Sequence, residues 1–325
     1  MATQPDITRF RITGRQALAI QTVSTSRSPI SHNMLRAQRT ASHFLIYTVL
    51  LFWTVVSLFP IFWTITTSFK NPVDVLQGRV VPWLQFEPSW RGWRTLGLSP
   101  DTILATSTVR IEFLTRFSGS VIATFGASLF AVTIGSLAAY GLSRFRYKIG
   151  GVRNKDISFF FLSQTILPPV VLALPYLVLY KHLALLDTHI GLILVYTLTV
   201  LPLVIWIMRN QFDSIPSDLE EAAQVDGCSS WMAFIRIMLP ISLPGIAAAF
   251  ILSAVICWNE YFFAALLTST YSKTLPVMLA SQTSSQSINW WTMAALATAA
   301  IAPLTLVGVF LENFIVKGLT AGAVK

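Results

Sequence analysis

Charge is scarce in this chain. Of its 325 residues only 11% are Asp, Glu, Lys or Arg, against roughly 25% in soluble globular domains. Cysteine is scarcer still: Cys228 and Cys257 form no CxxC pair, and the few histidines form no cluster, so no metal or redox site is legible. His43, His182 and His189 stand at the ends of apolar segments, as ordinary interfacial polar residues do. No GxxxxGK[ST] loop is present to cradle phosphates, which excludes ATP hydrolysis at a site of that kind. A formal net charge of +9 raises the question of nucleic acid. The basic residues are scattered between apolar segments and form no groove or arm, which argues against it.

What is abundant is apolar surface. Hydrophobic residues make up 54% of the chain, in recurring runs of about 20 residues, each long enough to cross a hydrocarbon core of about 30 Å. The pattern predicts an all-α membrane protein with six transmembrane helices, Phe44–Ser68, Ser120–Leu142, Ile157–Tyr180, Ile190–Met208, Ile241–Leu267 and Met293–Val316. Orientation follows from Lys and Arg, which are retained on the inner side. Arg9, Arg11, Arg15, Arg27, Arg36 and Arg39 precede the first span, and Arg144, Arg146, Lys148, Arg153 and Lys155 follow the second. An even number of spans then places both termini inside. The chain divides into a basic, unstructured tail (1–42), a first helix (43–69), an outer loop (70–117), a five-helix core (118–317) and a short C-terminal tail (318–325). No apolar core precedes Phe44, so no cleaved signal peptide is read. Trp83, Phe86, Pro88, Trp90 and Trp93 in the outer loop fit a segment lying at the outer membrane surface.

One inner loop, 213–240, breaks the charge pattern. Between spans four and five, Asp213, Asp218, Glu220, Glu221 and Asp226 stand against Arg209 and Arg236. Ser217 followed by Glu220 reads as a capping box opening a helix at about Asp218. Gly227 is placed to end that helix in a left-handed residue. Ser229 or Ser230 caps a second helix from about Trp231 to Leu239, closed by Pro240. Small residues (Ala222, Ala223) permit close backbone approach, and Glu221 and Asp226 fix register on a partner. A helix lying on a membrane surface carries a basic polar face, and this one is acidic.

Glu221, Ala222, Ala223, Asp226, Gly227, Phe234, Leu239 and Pro240 stand at the spacing of the EAA signature. The chain thereby resembles the inner-membrane permeases of binding-protein-dependent ABC importers, and more narrowly the maltose-type sugar permeases. Ala138–Arg144, Leu167-Pro168-Pro169, Leu185–Thr188, Trp258-Asn259-Glu260 and Gly318–Lys325 match that subgroup as well. Gly119-Ser120 departs from it, standing where the family often has Asn-Ser. The resemblance implies a type I importer bundle in a bacterial inner membrane, translocating a sugar, polyol or glycerol-like solute. It implies as partners a second permease in a heterodimer, two copies of an ABC ATPase that bind the ATP, and a periplasmic solute-binding protein. The chain itself needs no cofactor. Glu221, Ala222, Ala223, Asp226, Gly227, Phe234 and Pro240 are then the residues coupled to the ATPase. Non-sugar solutes are the alternative within the family. An ion-coupled transporter would need charges near the bilayer midplane, and none stands near a span centre.

The solute pathway is less legible. Glu260 lies inside the fifth span, where charge is costly and commonly functional. Its neighbours Trp258, Asn259 and Tyr261 are types that stack on and hydrogen-bond to sugars. They also suit an aromatic belt, with Glu260 paired to a neighbouring helix. Gln164 and Pro168 mark a polar, kinked third span, either a gating bend or a packing kink.

Overall fold

The computed structural model describes residues 32–103, 108–283 and 289–320. The expectations for the tail through residue 31 and for residues 321–325 lie outside them. The chain divides into two units, residues 1–60 and residues 61–325. As far as it is described, the first unit is the helix α1 (His32–Thr67) up to Pro60; residues 32–42, expected in the unstructured tail, are its first turns, and its apolar stretch begins at Ser42.

In the second unit α2 (Pro72–Leu76) and α3 (Arg91–Arg94) lie in the segment expected to be an outer loop. Its aromatics do not form one flat surface. Phe69, Trp90 and Trp93 pack ring against ring at 5.2–6.5 Å. Phe86 is buried, whereas Trp83 projects outward.

The centre of the bundle is α4 (Thr108–Arg144) packed along α7 (His189–Asp213). Its cause is a ridge of small residues. Ala123, Ala127, Ala131, Gly135 and Ala139 recur every fourth position, one row on a helix face, and the alanines are fully buried. A Cβ at Gly135 would stand 2.6 Å from Val204 Cγ1, and one at Gly126 2.7 Å from Ile193 Cδ1. Small residues here serve close helix packing. The helix starts well before the expected Ser120. Ser120 itself is buried and its hydroxyl accepts the Leu275 N–H at 2.8 Å.

A short hairpin, β1 (Lys148–Ile149) and β2 (Val152–Arg153), leads into α5 (Asn154–Ser163). The expected third span is not one helix. After a 3-10 turn at Gln164–Ile166 the chain restarts as α6 (Pro169–His182), and the two halves meet at 93°. Two consecutive prolines explain a break where a kink was expected. Each disfavours the helical conformation in the residue before it, and Leu167 and Pro168 are both extended, with ψ 122° and 130°.

Beyond α7 come α8 (Asp218–Val225), α9 (Ser230–Ala233), a π turn at Phe234–Met238 and α10 (Leu239–Ile241). Pro240 has no N–H to offer the preceding turn. The Leu239 N–H bonds back to the Phe234 carbonyl in the wider register. A 74° bend at Ser242 follows, then α11 (Leu243–Trp258). The expected fifth span Ile241–Leu267 is also interrupted, at Asn259-Glu260-Tyr261, before α12 (Phe262–Leu267). The short α13 (Leu275–Ala280) and the long α14 (Trp290–Thr320) complete the described chain. Among the described residues four helices are thus long and apolar enough to cross a membrane unbroken, or up to six spans if each bent pair is one.

Candidate functional site

The helix α8 has two faces of different character. Glu220 and Ala223, three residues apart, turn inward and are buried. Leu219, Glu221, Ala222, Val225 and Asp226 turn outward, and Val225 is 88% exposed. The helix ends as expected: Gly227 is left-handed at φ +89°. The Gly227 N–H bonds the Gln224 carbonyl at 3.0 Å and the Cys228 N–H the Ala223 carbonyl at 2.9 Å, which is the full Schellman pattern. Ser229 caps the next helix, accepting the Met232 N–H.

The start of α8 differs from expectation. Ser217 has helical dihedrals and makes no side-chain cap. Glu220, the expected capping partner, instead carries a buried carboxylate. Its Oε2 accepts the Tyr140 hydroxyl at 2.8 Å, and its Oε1 accepts Arg144 Nε. Arg144 also donates to the Ile215 carbonyl at 2.8 Å. Beneath the loop Phe234 is only 4% exposed, 4.6 Å from the Tyr140 ring, with Trp231 stacked on it at 5.6 Å. Ala223 and Phe234, expected among the coupling residues, therefore hold the loop to the bundle from inside. Glu221, Ala222, Asp226, Gly227 and Pro240 are exposed.

The expected pathway residues separate into two places. Gln164 lines a hollow of about 450 Å³ at the α5–α6 break, with Thr165, Tyr176, Thr199 and Phe263. Pro168 is exposed beside it and shapes the turn. Trp258, Asn259 and Tyr261 line another hollow of about 390 Å³, facing α13 and α14. Trp258 is itself buried, its ring nitrogen donating to the Ala300 carbonyl at 3.1 Å and its ring edge-on to Phe117. Glu260 is engaged at both oxygens: Oε1 accepts the Phe263 N–H at 2.8 Å and Oε2 the Ala264 N–H at 3.1 Å. The carboxylate caps α12, while the Asn259 amide donates to the Val255 carbonyl at the end of α11. These two side chains satisfy the backbone groups that an interrupted helix leaves open.

The comparisons with known proteins agree with this architecture. Residues 131–321 match the family described as the binding-protein-dependent transport system inner membrane component. The inner membrane ABC transporter permease protein YcjP of Escherichia coli is 30% identical over 90% of this chain and 100% of its own length. The chain belongs to this permease family. The diacetylchitobiose uptake system permease protein DasC of Streptomyces coelicolor is 31% identical over 82% of this chain and 92% of its own. Among solved structures, a bacterial ABC transporter involved in the import of the acidic polysaccharide alginate shares the fold. It superposes with a TM-score of 0.68 at 21% identity, over 86% of this chain and 97% of that one.

Two features of the permease escaped sequence reasoning. Arg144 and Glu220 lie 76 residues apart, and no local pattern joins them. Asp187 stands in a stretch noted only as family-like. At φ +54° its carboxylate gathers the backbone N–H groups of Ser269, Thr270, Tyr271 and Ser272 at 2.9–3.1 Å. Burial opposes ionisation of Asp187, but these donors outweigh it and hold the carboxyl well below its usual range. The one signal was a charged residue between two apolar segments in a tight turn.

Proposed function

We propose that this permease carries a sugar or sugar-like solute across a bacterial inner membrane, driven by a separate ATPase that docks on the 213–240 loop. Both termini and that loop lie on the cytoplasmic side, as the Lys and Arg distribution indicates. A second permease completes the pathway, two ATPase copies bind the ATP, and a periplasmic binding protein delivers solute. The chain is the transport subunit and does no chemistry of its own.

The two-faced helix α8 carries this reading. With no partner, a solvent-facing loop rarely displays side chains such as Leu219 and Val225 on α8 and Trp231 and Met232 on α9. Glu221 and Asp226, exposed on the same loop, are fixed charges that select one docking register. Gln164, Thr165 and Thr199 in one hollow, and Asn259 and Tyr261 in the other, offer the amides, hydroxyls and rings that hydroxyl-rich solutes need. The uptake system named for diacetylchitobiose and the alginate importer support the solute class.

Affinity purification from the native host in mild detergent tests the reading. Recovery of a nucleotide-binding subunit and a second permease is expected. Recovery of this chain alone, transporting in liposomes without ATP, would overturn it.

A further inference from the structure

We propose that Tyr140, Arg144 and Glu220 are positioning residues that clamp α8 to α4, so that the docking helix and the central helix move as one lever. The proposal rests on the docking reading above and adds the joint through which movement leaves the loop. Glu220 and Glu221 are adjacent in sequence but separate in role: the first is 6% exposed and faces the bundle, the second faces outward.

The geometry is directional. Tyr140 and Arg144 are one helical turn apart on α4, so both reach the same carboxylate. Each takes a different oxygen. Rotation of α8 about its own axis, or sliding along α4, breaks at least one of the two bonds. The guanidinium is held in turn by the Ile215 carbonyl, the Ser143 hydroxyl at 3.3 Å and the Met238 sulfur at 3.9 Å. It therefore also anchors the segment between α7 and α8. Asn154 ties the carbonyls of Leu142 and Phe145 to the start of α5. The end of α4 is a hub for three neighbouring segments.

Stability alone does not account for such a pair. A buried ion pair contributes little net stability beside well-packed apolar groups, although removing one partner strands the other charge. What a fork of oriented bonds supplies, and apolar contact does not, is fixed relative orientation. From this joint α4 runs 37 residues, roughly 55 Å at 1.5 Å per residue. It passes along α7, and Phe125 lies 5.8 Å from Phe250 of α11. Displacement imposed at Glu221 and Asp226 thus reaches the helices that border both hollows.

The test uses the assembled transporter in lipid nanodiscs, with Cys228 and Cys257 replaced by serine. Spin labels at Q224C on α8, outside the proposed docking face, and T133C on α4, both exposed positions, report the distance without nucleotide and with ATP and vanadate. The expected result is a narrow distribution that keeps the same mean in both states. Glu220→Gln should broaden it, because bonds to a neutral amide oxygen are about half as strong as charge-assisted ones. Arg144→Lys, which keeps the charge but loses the planar fork, should broaden it as well. The charge exchange R144E/E220R should narrow it again, a rescue that a merely space-filling role would not give. A distribution in Glu220→Gln as narrow as wild type overturns the clamp, and so does a wild-type mean that shifts with nucleotide. ATPase co-purification with Glu221→Lys separates the two readings. Undiminished recovery there removes the docking assignment, while the label widths still decide the clamp.

Discussion

Gly227→Ala isolates the contribution of one backbone conformation to docking. Gly227 sits at φ +89°, and a Cβ built there meets nothing within 4 Å. The substitution therefore causes no clash within the chain. It does place an L side chain in the left-handed region, at a cost of about 1–2 kcal/mol. Both closing bonds of α8, Gly227 N–H to Gln224 and Cys228 N–H to Ala223, depend on that conformation. The strain is thus relieved only by giving up the turn that presents Asp226 beside Glu221. A penalty of that size lowers the population of the docking-competent loop by a factor of about 5–30. The bundle is held by the α4–α7 core and is not touched, so the loop opens locally and the global unfolding midpoint should match wild type. Two measurements on the purified permease pair check this. The Kd for the ATPase, measured by interferometry in nanodiscs, should rise by about 5–30-fold. Amide exchange in Asp218–Cys228 should accelerate by a similar factor while α4 is unchanged. Wild-type affinity together with wild-type exchange would show that the left-handed turn is not what presents the docking face.

Asp187→Asn removes the charge that gathers four backbone N–H groups. The asparagine oxygen can still accept both donors of the buried Ser272, which share Oδ1, whereas the amide NH2 faces the Thr270 and Tyr271 N–H groups at Oδ2; the loss should cost about 1–3 kcal/mol. Because the folded-state pKa lies below the unfolded one, Asp187 stabilises the fold above about pH 4 and loses that contribution as pH falls further. Thermal unfolding between pH 7 and 3 should show this acid limb in wild type and a weaker one in the variant; parallel curves would refute it. Glu260→Ala should lose the α12 cap, about 1–2 kcal/mol, and raise protease sensitivity at 259–267, whereas Glu260→Gln, which still accepts a bond, should be milder. Equal rises in uptake KM for both variants, with no change in proteolysis, would instead place Glu260 on the solute. Gly135→Leu should cost about 1–3 kcal/mol by overpacking against Val204; wild-type thermal stability in detergent would mean that α4 and α7 do not approach so closely.

The sequence by itself determined the class of this protein, its apolar segments and the position of the acidic 213–240 loop for which docking is proposed. Each of these is a local property: run length sets a span, Gly227 needs only its own φ, and the EAA spacing is read along one continuous stretch of about 20 residues. Gly227 and the cap at Ser229 were legible for that reason. The Pro168-Pro169 pair announced a disturbance, but whether two prolines bend or break a span depends on what receives the freed backbone. Tertiary structure alone decided where each charge went. Glu220 and Glu221 are the same residue type one position apart. Only the arrival of Tyr140 and Arg144 from α4 draws the first inward, while the second stays exposed. The same holds for Glu260 and Asp187. The periodicity of a sequence says that a carboxylate is present, whereas its role follows from the donors that the fold brings within about 3 Å of it.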